Sequence, residues 1–96
     1  MSVNYYVYIL TNINNEVLYV GITSNLIQRT YQHKNKLIKG FSEKYNIHKL
    51  VHFEVYSDIA DALIREKRIK KWNRSWKNKL IEQSNPDWVD LYPTIL

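Results

Sequence analysis

Cysteine is absent from the chain. That excludes a disulfide framework, a thiolate metal site and thiol nucleophile chemistry. Nor does any apolar run approach the roughly 20 residues of a membrane span, so no membrane partner is expected. The opening stretch MSVNYYVYIL lacks a basic region before its short apolar run and lacks a cleavage site of small residues. The expected location is therefore the cytoplasm. No repeat, linker or low-complexity segment interrupts the chain. Its 96 residues suit one domain, residues 1–96, with a modest core.

Acid is scarce where base is abundant. The net charge is +5 and the pI is about 9.5. Between Arg65 and Lys79 stand Arg65, Lys67, Arg68, Lys70, Lys71, Arg74, Lys77 and Lys79, with Glu66 as the lone acid. Trp72 and Trp76 lie in the same stretch. Basic side chains interleaved with aromatics suit contacts to phosphate and bases, so a nucleic-acid partner is expected. The competing reading is a solvated helix face, with the tryptophans turned into the core as tryptophans more often are.

Tyr5 to Leu10 is rich in aromatic and β-branched residues and reads as a strand. Thr11 to Glu16 is a turn-rich loop, and Val17 to Ile22 is a second strand forming an antiparallel hairpin with the first. Period two puts Val7 and Ile9 on one face of the first strand, with Tyr6 and Tyr8 on the other. On the second strand Leu18 and Val20 oppose Tyr19 and Gly21. Ser24 is expected to start a helix reaching about Lys36, and Phe41 to His48 reads as irregular. Leu50 to Tyr56 reads as a third strand. Ser57 or Asp58 caps a second helix through about Trp72, and Arg74 to Gln83 forms a third. Pro86 stops it. The tail, with Trp88, Leu91 and Tyr92, is expected to dock on the body. A helix between the second and third strands makes a crossover, so the first strand can sit between them, antiparallel to both. The expected fold is α+β: a three-stranded antiparallel sheet in the order 2-1-3, flanked by helices.

On the second helix Ile59, Leu63, Glu66 and Ile69 or Lys70 follow one helical face, with Ala62 beside it. A carboxylate on an apolar stripe must be paired or bind a cation. Pairing with Arg65, Lys70 or Arg29 is one outcome, and a metal is the other. On the first helix Arg29 and His33 share a face at i, i+4. A guanidinium stays charged and can bind two phosphate oxygens, and His33 could orient a water or contact phosphate.

Taken in order, these residues resemble the GIY-YIG nuclease family. Tyr6-Val7-Tyr8 stands where the family has its first triplet, and Tyr19-Val20-Gly21 where it has its second. Arg29, His33, Glu66 and Asn85 follow in family order. The likeness runs from about Tyr5 to Leu91 and is strongest to small stand-alone bacterial members. Tyr6 replaces the first glycine, and valines replace both central isoleucines. The resemblance implies a DNA endonuclease that hydrolyses phosphodiester bonds with one divalent cation, Mg²⁺ or Mn²⁺, leaving a 5′-phosphate and a 3′-hydroxyl. It implies Glu66 as the carboxylate on the metal, a coordination style Mg²⁺ tolerates. Tyr8 and Tyr19 would flank the attacking water, one of them as general base. Arg29 would stabilise charge growing on the phosphorane. His33 would orient a tyrosine or the water, and Asn85 would support the site or orient phosphate. Gly21, Lys70, Lys71, Arg74 and Lys77 are the expected substrate-binding residues. Gly21 would keep the phosphate's approach clear, unless it serves only as a turn with unusual backbone angles. Structure-specific cleavage in DNA repair or processing, with a protein partner supplying specificity, completes the expectation. Binding without cutting, or service as a subunit of a partner-dependent nuclease, is the alternative.

Overall fold

A computed structural model describes residues 3–40 and 44–96. Of the stretch Phe41 to His48 read as irregular, residues 41–43 lie outside the described residues. Three strands, β1 (Tyr5–Thr11), β2 (Leu18–Thr23) and β3 (Lys49–Tyr56), form one antiparallel sheet in the order β2-β1-β3. Among the described residues, four helices flank it: α1 (Leu26–Lys34), α2 (Ile59–Lys71), α3 (Arg74–Ser84) and the short α4 (Tyr92–Ile95). The expected topology holds. The fourth helix is an addition, and Pro93 at its start fits a helix N-terminus. Among the described residues, no helix is long and apolar enough to cross a membrane.

Strand alternation sorts the apolar residues into two clusters. Val7, Ile9, Val20 and Val51 pack with Ala62 and Ile69 of α2, Ile81 of α3, and Trp88. Tyr8, Leu10 and Leu50 pack with Leu26 of α1 and Ile47, and Leu91 and Ile95 of the tail lie against them. Each fully buried aliphatic contributes roughly 1.5–3 kcal/mol, so both faces of the sheet are held. The tail does dock, through Trp88 on one face and Leu91 on the other. Lys34 pairs with Asp90. The same carboxylate accepts from the backbone N–H of Leu50 at 3.1 Å and of Tyr92 at 3.0 Å, tying α1, β3 and α4 together.

Several local expectations shift. Asn25, not Ser24, caps α1: its side chain accepts from the N–H of Gln28 at 3.1 Å, while Thr23 Oγ1 accepts from the N–H of Asn25. The helix ends at Lys34, two residues early. Asp58 is the cap of α2, accepting from Ala60 N–H at 2.7 Å. The buried residues of α2 are Ala62, Glu66 and Ile69, whereas Ile59 and Leu63 are exposed. The stripe is thus rotated from the one expected, and Glu66 lies at its centre. Trp76 is also exposed and Trp72 half-buried, so the expectation of core tryptophans fails at Trp76.

The β1–β3 register shifts between Ile9 and Leu10, leaving Val51 as an extra residue. Asn85, 3% exposed at the C-terminus of α3, closes that irregularity. Its Nδ2 donates to the carbonyls of Val51 at 3.1 Å and Val89 at 2.9 Å, and its Oδ1 accepts from Val89 N–H at 3.0 Å. Replacing it leaves three backbone groups without these partners, the buried Val51 carbonyl among them. Asn85→Ala should lower stability by about 2–4 kcal/mol, measured as a lower urea midpoint. A midpoint within error of the wild type would show that the clip is dispensable.

Candidate active site

The register pairs Tyr8 of β1 with Gly21 of β2. Tyr8 is 2% exposed, and its ring lies over that glycine. A Cβ at Gly21 would come within 2.5 Å of Tyr8 Cζ and 3.0 Å of Tyr19 Cε1. Gly21 sits within the strand and is not in the left-handed region, which among the described glycines holds only Gly40. The need for glycine is therefore steric, and the atoms that enforce it belong to Tyr8.

Past Gly21 the Tyr8 hydroxyl meets α1, where His33 Nε2 lies 3.2 Å away. Tyr19 completes a three-ring cluster, with centroids 6.2 Å from Tyr8 and 5.2 Å from His33. Burial is the main force that pushes the Tyr8 phenol above the ordinary phenol range. The neighbouring Tyr19 and its hydrogen bond add to it, Arg29 opposes it, and Glu66 adds a smaller push. His33, 2% exposed, is held down to about 4, first by burial and then by Arg29 one turn away. Both groups are neutral near pH 7. Their shared hydrogen bond is one between neutral partners, with direction set by the histidine tautomer. Sequence reading passed over Thr30, which is fully buried on the inner face of α1. Its hydroxyl and His33 Nδ1 have no hydrogen-bond partner among the described residues. The i, i+3 spacing to His33 was the available signal.

Glu66 approaches from α2. It is 8% exposed and accepts from Lys70 at 2.7 Å. Of the three pairings expected for this carboxylate, Lys70 is the one formed. Arg65 instead grips Glu54 of β3 with two bonds, at 2.9 and 3.1 Å. Lys70 and Lys77 line a surface groove of about 310 Å³ together with Leu18, Tyr19 and Val20. The groove opens beside the tyrosine that is only half-buried. Lys71 is exposed at the end of α2. Arg74 is differently employed. Its Nε donates to Asn78, and its remaining nitrogens donate to the carbonyls of Glu16 and Asn15 in the β1–β2 loop. Its fork braces the hairpin.

Among the described residues, no three of His, Cys, Asp or Glu gather as metal ligands. The carboxylate that bears on Tyr8 is Glu66. One carboxylate does not fit zinc, which takes three or four protein ligands. It does fit a hard cation that keeps most of its waters.

The buried neutral histidine carries a pH signature. An unfolded histidine titrates near 6.5, so between pH 6.5 and 4 the unfolded chain holds more protons at His33 than the folded one. Stability must therefore fall as pH falls through that window. His33→Gln should flatten this part of the profile by about 1–3 kcal/mol, read by denaturant unfolding at each pH. Parallel profiles for variant and wild type would show that His33 is not held neutral.

Comparison with known proteins bears on the same residues. The family model of the GIY-YIG catalytic domain matches residues 4–80. A UPF0213 protein of Clostridium perfringens is 38% identical over 80 residues, covering 83% of this chain and 85% of its own. Another, from Haloquadratum walsbyi, is 32% identical over 83 residues, covering 86% and 92%. The solution NMR structure of a UPF0213 protein from Bacillus halodurans shares the fold. Its TM-score is 0.58 at 22% identity, over 91% of this chain and 92% of that one. The matched span contains both strand triplets, Arg29, His33 and Glu66, and by that match the chain belongs to the GIY-YIG family of nuclease domains.

Proposed function

We propose that this protein is a single-domain DNA endonuclease, residues 1–96. In this reading it hydrolyses phosphodiester bonds with one divalent cation, Mg²⁺ or Mn²⁺. It acts in the cytoplasm on structured DNA during repair or processing, with a partner protein adding specificity. The observation that carries the reading is a buried carboxylate paired to Lys70, a lysine of the basic groove that Tyr19 lines, with its charge felt at Tyr8. Glu66 bears on Tyr8, and Tyr19 lines the groove with Lys70 and Lys77.

Each residue then has work suited to its surroundings. Glu66 would hold the cation, which when bound acidifies water and draws charge from phosphate oxygens. Tyr19 is better placed than Tyr8 to take the water's proton, because burial disfavours the Tyr8 phenolate. The water oxygen bonds to phosphorus, the bond to O3′ breaks, and O3′ leaves with a proton from solvent. Arg29 stabilises the charge that builds on the phosphorane. Tyr8 and His33 hold the ring cluster in place. Asn85 supports the site from a distance, since both its amide hydrogens and its oxygen are engaged by backbone. Lys70, Lys71 and Lys77 guide the nucleic-acid backbone, and Gly21 keeps the tyrosine pocket open.

The rival reading, binding without cutting, draws on the ion pair between Glu66 and Lys70, which satisfies the carboxylate without a cation. Purified protein on a panel of single-stranded, duplex, flapped and branched DNA separates the two. Wild type should cut with Mg²⁺ or Mn²⁺ and stop in EDTA. Arg29→Ala should lose about 10²–10³ in rate while keeping its affinity for uncut DNA, and Tyr19→Phe should behave alike. Binding throughout the panel without cleavage establishes the rival.

The lysines make a separate prediction. Charge reversal at Lys70, Lys71 and Lys77 together should weaken binding to all sequences and flatten its dependence on salt. Removing about three lysine–phosphate pairs should lower the logarithmic slope by roughly 2–3. An unchanged slope would assign these lysines to a solvated face.

A further inference from the structure

A second groove lies across the sheet from the tyrosines. It measures about 320 Å³ and is lined by Arg65, Trp72, Trp76, Lys79, Leu80 and Gln83. On α3, Trp76, Lys79, Leu80 and Gln83 follow i, i+3, i+4, i+7, so they form one stripe. The residue that α3 buries in the core is Ile81, on a different side of the helix. The stripe therefore faces outward, and Trp76 at its head is 54% exposed. A large aromatic left this open needs a reason, since its burial is worth more than that of most side chains.

The groove is a built surface. Trp72 packs against the first core cluster and meets Trp76 edge-on, with centroids 5.9 Å apart. The Arg65 guanidinium lies over the Trp72 ring, 5.0 Å from its centroid, and is held there by its two bonds to Glu54. Trp72 is thus fixed, and it steadies the edge of an indole whose remaining surface meets solvent. Leu80 is half-buried, and Gln83 and Lys79 are exposed along the same stripe. Glu82, the acid on this part of α3, points elsewhere and accepts from Trp88 Nε1 at 2.9 Å. Glu54 is neutralised by Arg65.

We propose that this groove holds an unpaired nucleobase, stacked on Trp76, with Gln83 toward the base edge and Lys79 on the neighbouring phosphate. Aromatic stacking accepts any base, but the base must first be free of its duplex neighbours. Charge complementarity points to a nucleic acid, because Arg65 to Lys79 carries eight basic residues against Glu66. Position adds to the argument. Arg65 ties the groove to β3, whereas Lys70 and Lys77 border β2, and these strands are opposite edges of the sheet. Lys77 of the first groove stands next to Trp76 of the second on α3, so one strand can lie along both. The proposal rests on the nuclease reading and deepens it: the preferred substrate has a single-stranded segment beside the cut.

The test is binding in EDTA, so that cleavage plays no part. Full-length protein is titrated with short oligothymidylate, with an abasic sugar-phosphate strand of equal length, and with duplex DNA. Oligothymidylate should quench tryptophan fluorescence and bind about tenfold more tightly than the abasic strand. Trp76→Ala should remove that advantage and leave abasic binding unchanged, while Trp76→Phe should retain most of it. Equal affinity for the two strands in wild type, or an advantage that survives Trp76→Ala, overturns the proposal. So does self-association that Trp76→Ala abolishes, which would assign the face to a second copy of the chain. A protein that never cleaves yet shows the Trp76-dependent advantage has lost the endonuclease reading but kept the base site. One that cleaves and lacks the advantage has lost the base site alone.

Discussion

The Tyr8 ring lying across Gly21 is the contact on which the site depends. It requires β1 and β2 to pair in one register, because a slip of one residue would turn every side chain to the opposite face. It requires a residue without Cβ at position 21, since the nearest Tyr8 atoms stand where that carbon would go. With both conditions met, the phenol reaches across the second strand to His33 and fixes α1 against that face. Arg29 follows because it stands one turn before His33 on the same helix. The signature triplets are thus two halves of a single packing arrangement, and the helix carrying the arginine is seated on it.

That arrangement separates a dry part of the site from a wet one. Tyr8, Thr30 and His33 are buried, and burial opposes charge on the phenol and on the imidazole alike. These residues suit holding a shape better than carrying charge. The charge-bearing groups stand around them: Arg29 half-buried on α1, and Glu66 with Lys70 on α2. Tyr19 joins the two parts, with its ring against His33 and its edge on the groove that Lys70 and Lys77 line. In the proposed reaction, proton transfer falls to the tyrosine at this boundary, where a phenolate keeps access to water.

Much of this was legible in the sequence because it follows from short-range rules. Period two gave the two faces of the hairpin, the crossover gave the strand order, and helical spacing put Glu66 inward. Most of the failures are long-range. The bulge at Val51 depends on how β3 meets β1 and on an amide from residue 85, and neither leaves a local pattern. Ser24 and Asn25 are both good caps. Thr23 binds the N–H of Asn25 and thereby settles the choice. Arg74 reads as one more basic residue in a basic stretch until the hairpin loop presents its carbonyls. Trp76 is expected inside because tryptophans usually are. Its outward position follows from Ile81, which claims the core side of α3.

Helix α2 connects these features because it crosses the whole sheet, touching all three strands. Its buried residues, Ala62, Glu66 and Ile69, set its rotation. That rotation sends Lys70 toward β2 and Arg65 toward β3. On the β3 side Glu54 collects His52 at 2.8 Å, Tyr56 at 2.7 Å and Arg65, and these bonds hold its carboxyl down to about 2 despite partial burial. The anchor therefore stays charged down to strongly acid pH and fixes the guanidinium that covers Trp72. On the β2 side the same helix presents a carboxylate whose partner, Lys70, is an exposed side chain. A bound cation in place of Lys70 would keep that buried carboxylate paired. One edge of α2 is locked by a network and the other is left exchangeable, which is the asymmetry expected of a helix that holds a platform on one side and accepts a charged ligand on the other.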